Sequence, residues 1–216
     1  MIKRIILGIV LGSVGMLVAG YIDPIFHAGF IYKGSIHIVL GIFVGSVAGI
    51  LAKSHKKIIL CSLLGGIGEI IGSFIHWQSL FYLHSGYLRY SDVIQAVSLA
   101  SVGLFVGIGY VLSKKFNTVF HKLFAIAGGI IGGIFGVLVI EKAVFQPVLY
   151  MFSDYKLTAM LGAIYGGSIW AGISIFEAIV IPATKRHCSY WVYLGLAIGS
   201  FLSVTIILLF FLCRQG

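Results

Sequence analysis

The chain has 216 residues, of which 60% are hydrophobic and 10% are charged, and its formal net charge is +9. Together with a mean hydropathy of +1.10, this composition excludes an ordinary soluble globular domain and indicates a polytopic membrane protein. The basic residues lie in short clusters between apolar runs, a pattern that indicates membrane topology, so nucleic acid is not an expected partner.

Seven apolar segments have about the length that a membrane-spanning helix requires. The first also has the outline of a signal peptide, but its Gly8 and Gly12 repeat the glycine spacing of the later segments, which favours a retained helix. We therefore expect an all-α bundle forming a single integral membrane domain over residues 1–216. The predicted helices cover residues 5–22, 35–52, 58–77, 93–113, 123–140, 157–181 and 190–213.

Glycines recur at helical spacing in every predicted helix, which is typical of helices that pack closely in a bilayer. The alternative, that glycine is merely frequent in membrane helices, does not explain the spacing of four residues. Predicted helices two and three and predicted helices four and five share this pattern around a basic turn. We interpret them as parallel hairpin repeats, with helices six and seven as a looser third copy. The predicted packing residues are Gly41, Gly45, Gly49, Gly65, Gly68, Gly72, Gly103, Gly107, Gly128, Gly132 and Gly136.

The loops on the two sides of the predicted bundle differ in charge. Ten Lys and Arg residues, including Lys56 and Lys115, fall on the side of the N-terminus, and five fall on the other side. The positive-inside rule then places the N-terminus in the cytoplasm and the C-terminus outside, in a plasma or inner membrane. Anionic lipid headgroups are the expected partners of the inner basic turns.

The longest outer connection, residues 78–91, is rich in aromatic side chains, among them Phe81, Tyr82 and Tyr87. Aromatic rings of this kind favour the headgroup layer of a bilayer. We therefore expect this connection to lie along the membrane interface.

Glu69 lies inside the third predicted helix, about two turns from its outer end. A carboxylate at this depth costs on the order of 2 to 4 kcal/mol unless it is paired, hydrated or protonated. His76 lies on the same helical face, while His37 and Gln95 are at comparable depth in neighbouring helices. These four residues predict a polar vestibule that handles an ion or a proton. The alternative is a protonated or hydrogen-bonded Glu69 that serves packing, beside ordinary interfacial histidines.

Glu177 lies near the inner end of predicted helix six, where its side chain could reach water or pair with Lys185 or Arg186. A structural role is therefore expected for it. No motif for a nucleophile, a phosphate-binding loop or a zinc site is present, so no cofactor is expected and the sequence does not favour an enzyme. Haem or a metal bound by His37 and His76 is a minor alternative.

Two functions remain open. The first is a transporter or permease for an ion or small solute, with its site at Glu69. The second is a non-catalytic membrane subunit or scaffold, whose glycine stripes pack against the helices of a partner subunit or of a second copy of the chain.

Overall fold

The computed structural model describes residues 1–22, 34–82, 87–116, 118–138 and 154–185. Every regular element in these ranges is helical, which confirms the all-α prediction for the described part of the chain. The helices are α1 (Ile2–Ile22), α2 (Gly34–Leu51), α3 (His55–Tyr82), α4 (Tyr87–Ser113), α5 (Val119–Phe135) and α6 (Asp154–Lys185). A π-helical turn over residues 136–138 extends α5.

Five of the helices in these ranges are long and apolar enough to cross a membrane, and α2 contributes a shorter apolar segment, Ile38–Leu51. Large apolar side chains lie on the outside of the helices; Ile59, Leu63 and Phe74 on α3 are 61%, 59% and 59% exposed. Lipid solvates such a surface, so the pattern is that of an integral membrane protein. The predicted seventh helix lies outside the described residues, and the count of seven stays a prediction.

The helices extend beyond the apolar stretches that predicted them. The apolar part of α3 ends at Ile75, whereas the helix continues to Tyr82. On the other side of the connection α4 already begins at Tyr87, before its apolar part at Gln95. The prediction of one long connection over residues 78–91 is therefore wrong. Hydropathy marks the part of a helix that suits lipid, whereas the backbone hydrogen bonds that define the helix continue through polar and aromatic residues.

The chain divides into two compact units, Met1–Glu177 and Ala178–Gly216. Of the second unit, the structure describes only residues 178–185, which form the end of α6. The single domain over residues 1–216 therefore stays a prediction.

Within the first unit the helices form a closed ring. Each of α1 to α4 packs against the next helix in the sequence, and α6 contacts both α1 and α5. The interior is filled by apolar side chains from several helices. Val44 of α2, Val102 and Val106 of α4, and Ile169 and Trp170 of α6 are all almost completely buried.

Four helix pairs approach until their backbones touch at facing glycines. A Cβ atom added at any of these glycines would collide with the carbonyl oxygen of the glycine opposite. Any residue other than glycine would therefore push the helices apart. The facing pairs are Gly41 and Gly65 between α2 and α3, Gly103 and Gly129 between α4 and α5, Gly12 and Gly162 between α1 and α6, and Gly128 and Gly172 between α5 and α6.

The other predicted packing glycines also lie against a neighbouring helix of the same chain. Their nearest neighbours are Cys61 for Gly45, Ile58 for Gly49, Val102 and Ser101 for Gly68, Ser98 for Gly72, Ile126 for Gly107, and Ser168 for Gly132 and Gly136. These contacts describe where the glycines lie. That they drive helix association, and that the hairpins are repeats, stay predictions.

The contact at Gly103 is testable by adding one methyl group. We expect Gly103→Ala to destabilise the protein by about 1 to 3 kcal/mol, because the new Cβ meets the rigid backbone of α5 at Gly129. The midpoint of thermal unfolding in detergent measures this effect.

Gly109→Ala is the matched control, since it lies on the same helix and its Cβ would meet Cys61 at an ordinary 3.5 Å. We expect its midpoint to stay the same or rise slightly, because alanine favours helices over glycine. Equal midpoints for Gly103→Ala and Gly109→Ala would contradict the backbone contact.

Candidate functional site

Glu69 is buried in the membrane-spanning part of α3, with only 1% of its surface exposed. It lies six residues before Ile75, where the apolar part of the helix ends, which corresponds to roughly 9 Å along the axis. Its side chain passes close to α2 at a glycine: a Cβ atom on Gly41 would lie 2.6 Å from Glu69 Cγ. The glycine at position 41 therefore provides the space in which the Glu69 side chain lies.

A small cavity adjoins Glu69, with a volume of about 20 Å³. In this measure a single water molecule needs roughly 10 to 15 Å³, so the cavity holds one particle of that size. One side of the lining is polar and the other is apolar. The lining residues are Glu69 from α3, Gln95, Ser98 and Leu99 from α4, Val137 from the π-helical turn after α5, and Tyr165 from α6.

The polar side of the cavity contains one direct hydrogen bond that joins two helices. Gln95 Nε2 on α4 donates to the Tyr165 hydroxyl on α6, at 2.8 Å. Tyr165 is buried, so this bond fixes the two polar groups at a set distance inside the bundle. The α3–α4 contact beside the cavity is also polar, since Ser101 Oγ donates to the Gly68 carbonyl oxygen at 2.7 Å.

Glu69 Oε1 is buried and has no hydrogen-bond partner among the described residues. The same holds for Ser73 Oγ, one helical turn further along α3. Buried polar atoms in native proteins are almost always satisfied by protein, water or ligand. Because a cavity of molecular size adjoins Glu69, the unsatisfied carboxyl oxygen marks a place where a ligand or an ordered water fits.

Two of the four predicted site residues, Glu69 and Gln95, line this cavity. His37 lies in α2 and His76 in α3, but their side chains fall outside the described residues. Their role in the site, and haem or a metal bound between them, stay predictions. Where side chains are described, no group of three or more His, Cys, Asp or Glu residues could hold a metal ion.

Ser98 and Tyr165 were not predicted. Tyr165 carried a usable signal, because it is a polar side chain between Gly162 and Gly166, in the middle of an apolar helix. Ser98 carried none, since serine is common in membrane helices and only tertiary packing places it on the cavity.

A second polar cluster, the Glu177 cluster, consists of Glu177, Arg4, Lys114 and Tyr110. The Glu177 side chain is 6% exposed and forms ion pairs with Arg4 of α1 and with Lys114 just after α4. The Tyr110 hydroxyl donates to Glu177 Oε2 at 2.8 Å. These contacts differ from the predicted pairing with Lys185 or Arg186, and they join three helices at one end of the ring.

Aromatic rings close the interior next to the Glu177 cluster. The Arg4 guanidinium lies over the Tyr110 ring, 5.0 Å from its centroid, and the Tyr110 and Trp170 rings meet edge to face at 5.6 Å. Trp170 Nε1 donates to the Val44 carbonyl oxygen at 3.0 Å. Each of these contacts holds two large groups in the centre of the bundle, so this end of the ring is filled.

The cavity and the Glu177 cluster lie at different depths. Ser98 and Tyr110 are twelve residues apart on α4, and Tyr165 and Glu177 are twelve residues apart on α6, so both helices give a separation of roughly 18 Å. Buried apolar side chains occupy the space between, among them Val102, Val106, Ile169 and Ile173.

The cavity brings a carboxyl group, an amide and two hydroxyls to one small volume. Oxygen-rich sites of this kind suit small hard cations and protons. Comparison of the chain with protein-family models, curated proteins and solved structures finds no match.

The ion pairs of Glu177 yield a stability prediction. Glu177→Gln keeps the shape of the side chain but removes the charge that offsets Arg4 and Lys114. We expect a loss of about 1 to 3 kcal/mol, because the two cations are partly exposed and water screens part of the effect. Thermal unfolding in detergent measures it.

Lys115→Gln is the control, since Lys115 adjoins the cluster in sequence but forms no ion pair among the described residues. Its unfolding midpoint should match that of the wild type. A Glu177→Gln midpoint equal to the wild-type value would show that the cluster does not hold the three helices together.

Proposed function

We propose that the protein is a membrane transporter or permease for an ion or small solute, and that the cavity at Glu69 is its binding site. The observation that carries this proposal is the Glu69 carboxyl group, which is 1% exposed and has an unsatisfied oxygen next to a polar cavity. An acid inside a membrane bundle is costly to keep, and those that are retained usually serve transport or proton transfer.

The distribution of polar groups along the ring supports this proposal. The binding cavity lies in one half of the bundle, and the other end is closed by the Glu177 cluster and a layer of apolar side chains. A transporter that opens alternately to its two sides needs such an asymmetry in each of its states, with a site near the middle and a closed gate on one side.

The basic residues support the proposed orientation. Arg4 and Lys114 meet at Glu177, and Lys57 Nζ donates to the Ser113 carbonyl oxygen at 2.6 Å. Three basic side chains from three different segments thus gather at one end of the ring. If this end faces the cytoplasm, the N-terminus is inside and the Glu69 cavity lies in the outer half of the membrane.

We further propose that the ring consists of helix pairs related by repetition. Facing glycines join α2 to α3, α4 to α5, and α6 to α1, and Gly128 and Gly172 join α5 to α6 in the same way. The predicted third hairpin of helices six and seven lies partly outside the described residues. The support for repetition is that α2 meets α3, and α4 meets α5, at facing glycines in the same manner.

The second candidate, a membrane subunit or scaffold, has support from the exposed apolar face of α3, where a partner helix could pack. The predicted glycine stripes do not serve this purpose, since they already face helices of the same chain. A scaffold also gives no reason for an unsatisfied acid in the core. Purification in mild detergent would favour this candidate if a partner subunit copurified at a fixed stoichiometry.

The transport proposal is testable with purified protein in lipid vesicles. Wild-type protein should move Na⁺, K⁺ or protons down an imposed gradient, as measured by radioactive sodium, by radioactive rubidium as a substitute for potassium, and by a pH-sensitive dye inside the vesicles. In Glu69→Gln this flux should fall by about tenfold or more, since losing a charge contact worth about 1.4 kcal/mol weakens binding about tenfold.

Asp154→Asn is the matched acid-to-amide control. Asp154 begins α6, eleven residues before Tyr165, so it lies roughly 16 Å from the cavity along the helix axis. Its flux should equal that of the wild type. Equal flux in Glu69→Gln would exclude Glu69 as the binding group, and wild-type vesicles that move none of these ions would contradict an ion transporter.

A further inference from the structure

The Glu69 cavity has a size, a charge and a lining that together indicate its ligand. From these we infer that it binds one monovalent alkali cation, Na⁺ or K⁺, stripped of its hydration shell. This inference rests on the proposed function and names the class of ligand for the same site.

The volume of the cavity limits the ligand to one small particle. About 20 Å³ holds a single water molecule, and a bare Na⁺ or K⁺ ion is no larger than a water molecule. A hydrated ion, an amino acid or a sugar would need several times this space. The ligand that fits in this state of the protein is therefore a single ion or a single water.

Charge balance favours a monovalent cation. Among the described residues, Glu69 is the one acid on the cavity lining, and the ion pairs found there all involve Glu177. A single carboxylate neutralises one positive charge, whereas a divalent ion would leave an excess charge in a medium of low dielectric constant. A bound monovalent cation makes the site neutral.

The lining supplies the atoms that such a cation prefers. Glu69 Oε1 is buried and unsatisfied beside the cavity, and Gln95, Ser98 and Tyr165 contribute an amide oxygen and two hydroxyl oxygens to the lining. Carboxylate, amide and hydroxyl oxygens suit hard cations, whereas softer metals such as copper and zinc prefer histidine or cysteine ligands. Leu99 and Val137 form the apolar side.

The main competitor is a proton carried by Glu69. A proton on the carboxyl group alone would leave the adjacent volume unfilled, so this alternative also needs an ordered water in the cavity. A bound cation fills the same volume and also neutralises the Glu69 carboxylate. The two cases differ in a measurable way, because an alkali cation stabilises the folded protein according to its concentration and a proton according to pH.

The test uses the full chain purified in detergent, with unfolding midpoints measured at constant pH and constant ionic strength. Choline chloride is replaced stepwise by NaCl or KCl, so that only the size of the cation changes. We expect NaCl, KCl or both to raise the midpoint by about 5 °C at concentrations far above the dissociation constant. Choline is too large for the cavity and should give no rise.

Variants locate the effect at the cavity. Glu69→Gln should lose the alkali-dependent rise, and Ser98→Ala should reduce it, which provides a second test if Glu69→Gln does not fold. Ser46→Ala is the control, because Ser46 Oγ donates to the Phe43 carbonyl oxygen on its own helix, away from the lining. It should keep the full rise.

The inference is overturned if the wild type shows no alkali-dependent rise, or if Glu69→Gln keeps it. A midpoint that responds to pH and not to alkali cations assigns the site to a proton. The unfolding and flux experiments distinguish a failure of the binding proposal from a failure of the transport proposal. Vesicle flux without an alkali effect refutes the cation and retains the transporter, whereas an alkali effect without flux retains the binding site and refutes transport.

Discussion

Contact between helix backbones at facing glycines is the constraint on which the rest of the ring depends. At Gly41 and Gly65, at Gly103 and Gly129, and at Gly12 and Gly162, the helices are so close that a single methyl group does not fit between them. Little hydrophobic drive exists between helices in lipid, and helix association there generally depends on close packing. It also leaves little room inside the ring, so the position of each buried polar side chain strongly affects the packing around it.

Two buried glutamates show how differently the same side chain can be accommodated in this bundle. Glu177 accepts contacts from two cations and a tyrosine hydroxyl, so its charge is offset within the protein. Glu69 has a polar cavity beside it and an oxygen without a partner. Breaking the pairs of Glu177 would leave two partly exposed cations without their counter-charge, so we interpret this residue as structural. Glu69 has no such partners among the described residues, which is why we assign the proposed ligand to its cavity.

The sequence was informative where short-range patterns decide the outcome. Apolar stretches located the membrane-spanning parts of the helices, and the depth of Glu69 and Gln95 in their helices placed both residues in one layer of the bundle. Helix ends were less predictable, as at Tyr82 and Tyr87, because hydropathy does not record where backbone hydrogen bonding stops.

Contacts between distant segments could not be predicted at all. Arg4 and Glu177 are separated by 173 positions, and their pairing depends on α1 lying beside α6. The sequence suggested Lys185 or Arg186 as partners because they are close to Glu177 in the chain. A sequence pattern contains no information about which helices become neighbours. The same reason hides Ser98 and Tyr165, which line the cavity only because α4 and α6 meet there.

The tight core also limits how anything could cross this protein. Trp170 is fully buried and hydrogen-bonded to the Val44 carbonyl oxygen, and apolar side chains fill the layer between the cavity and the Glu177 cluster. A wide aqueous channel would require these groups to be absent, so steady conduction through an open pore does not fit this ring. Under the proposed transport function, passage needs the helices to rearrange around one bound particle, and the ion pairs of Glu177 would have to break for the closed end to open. The proposal therefore gives the two buried acids separate roles, with Glu177 holding one end of the ring closed and Glu69 binding the ligand.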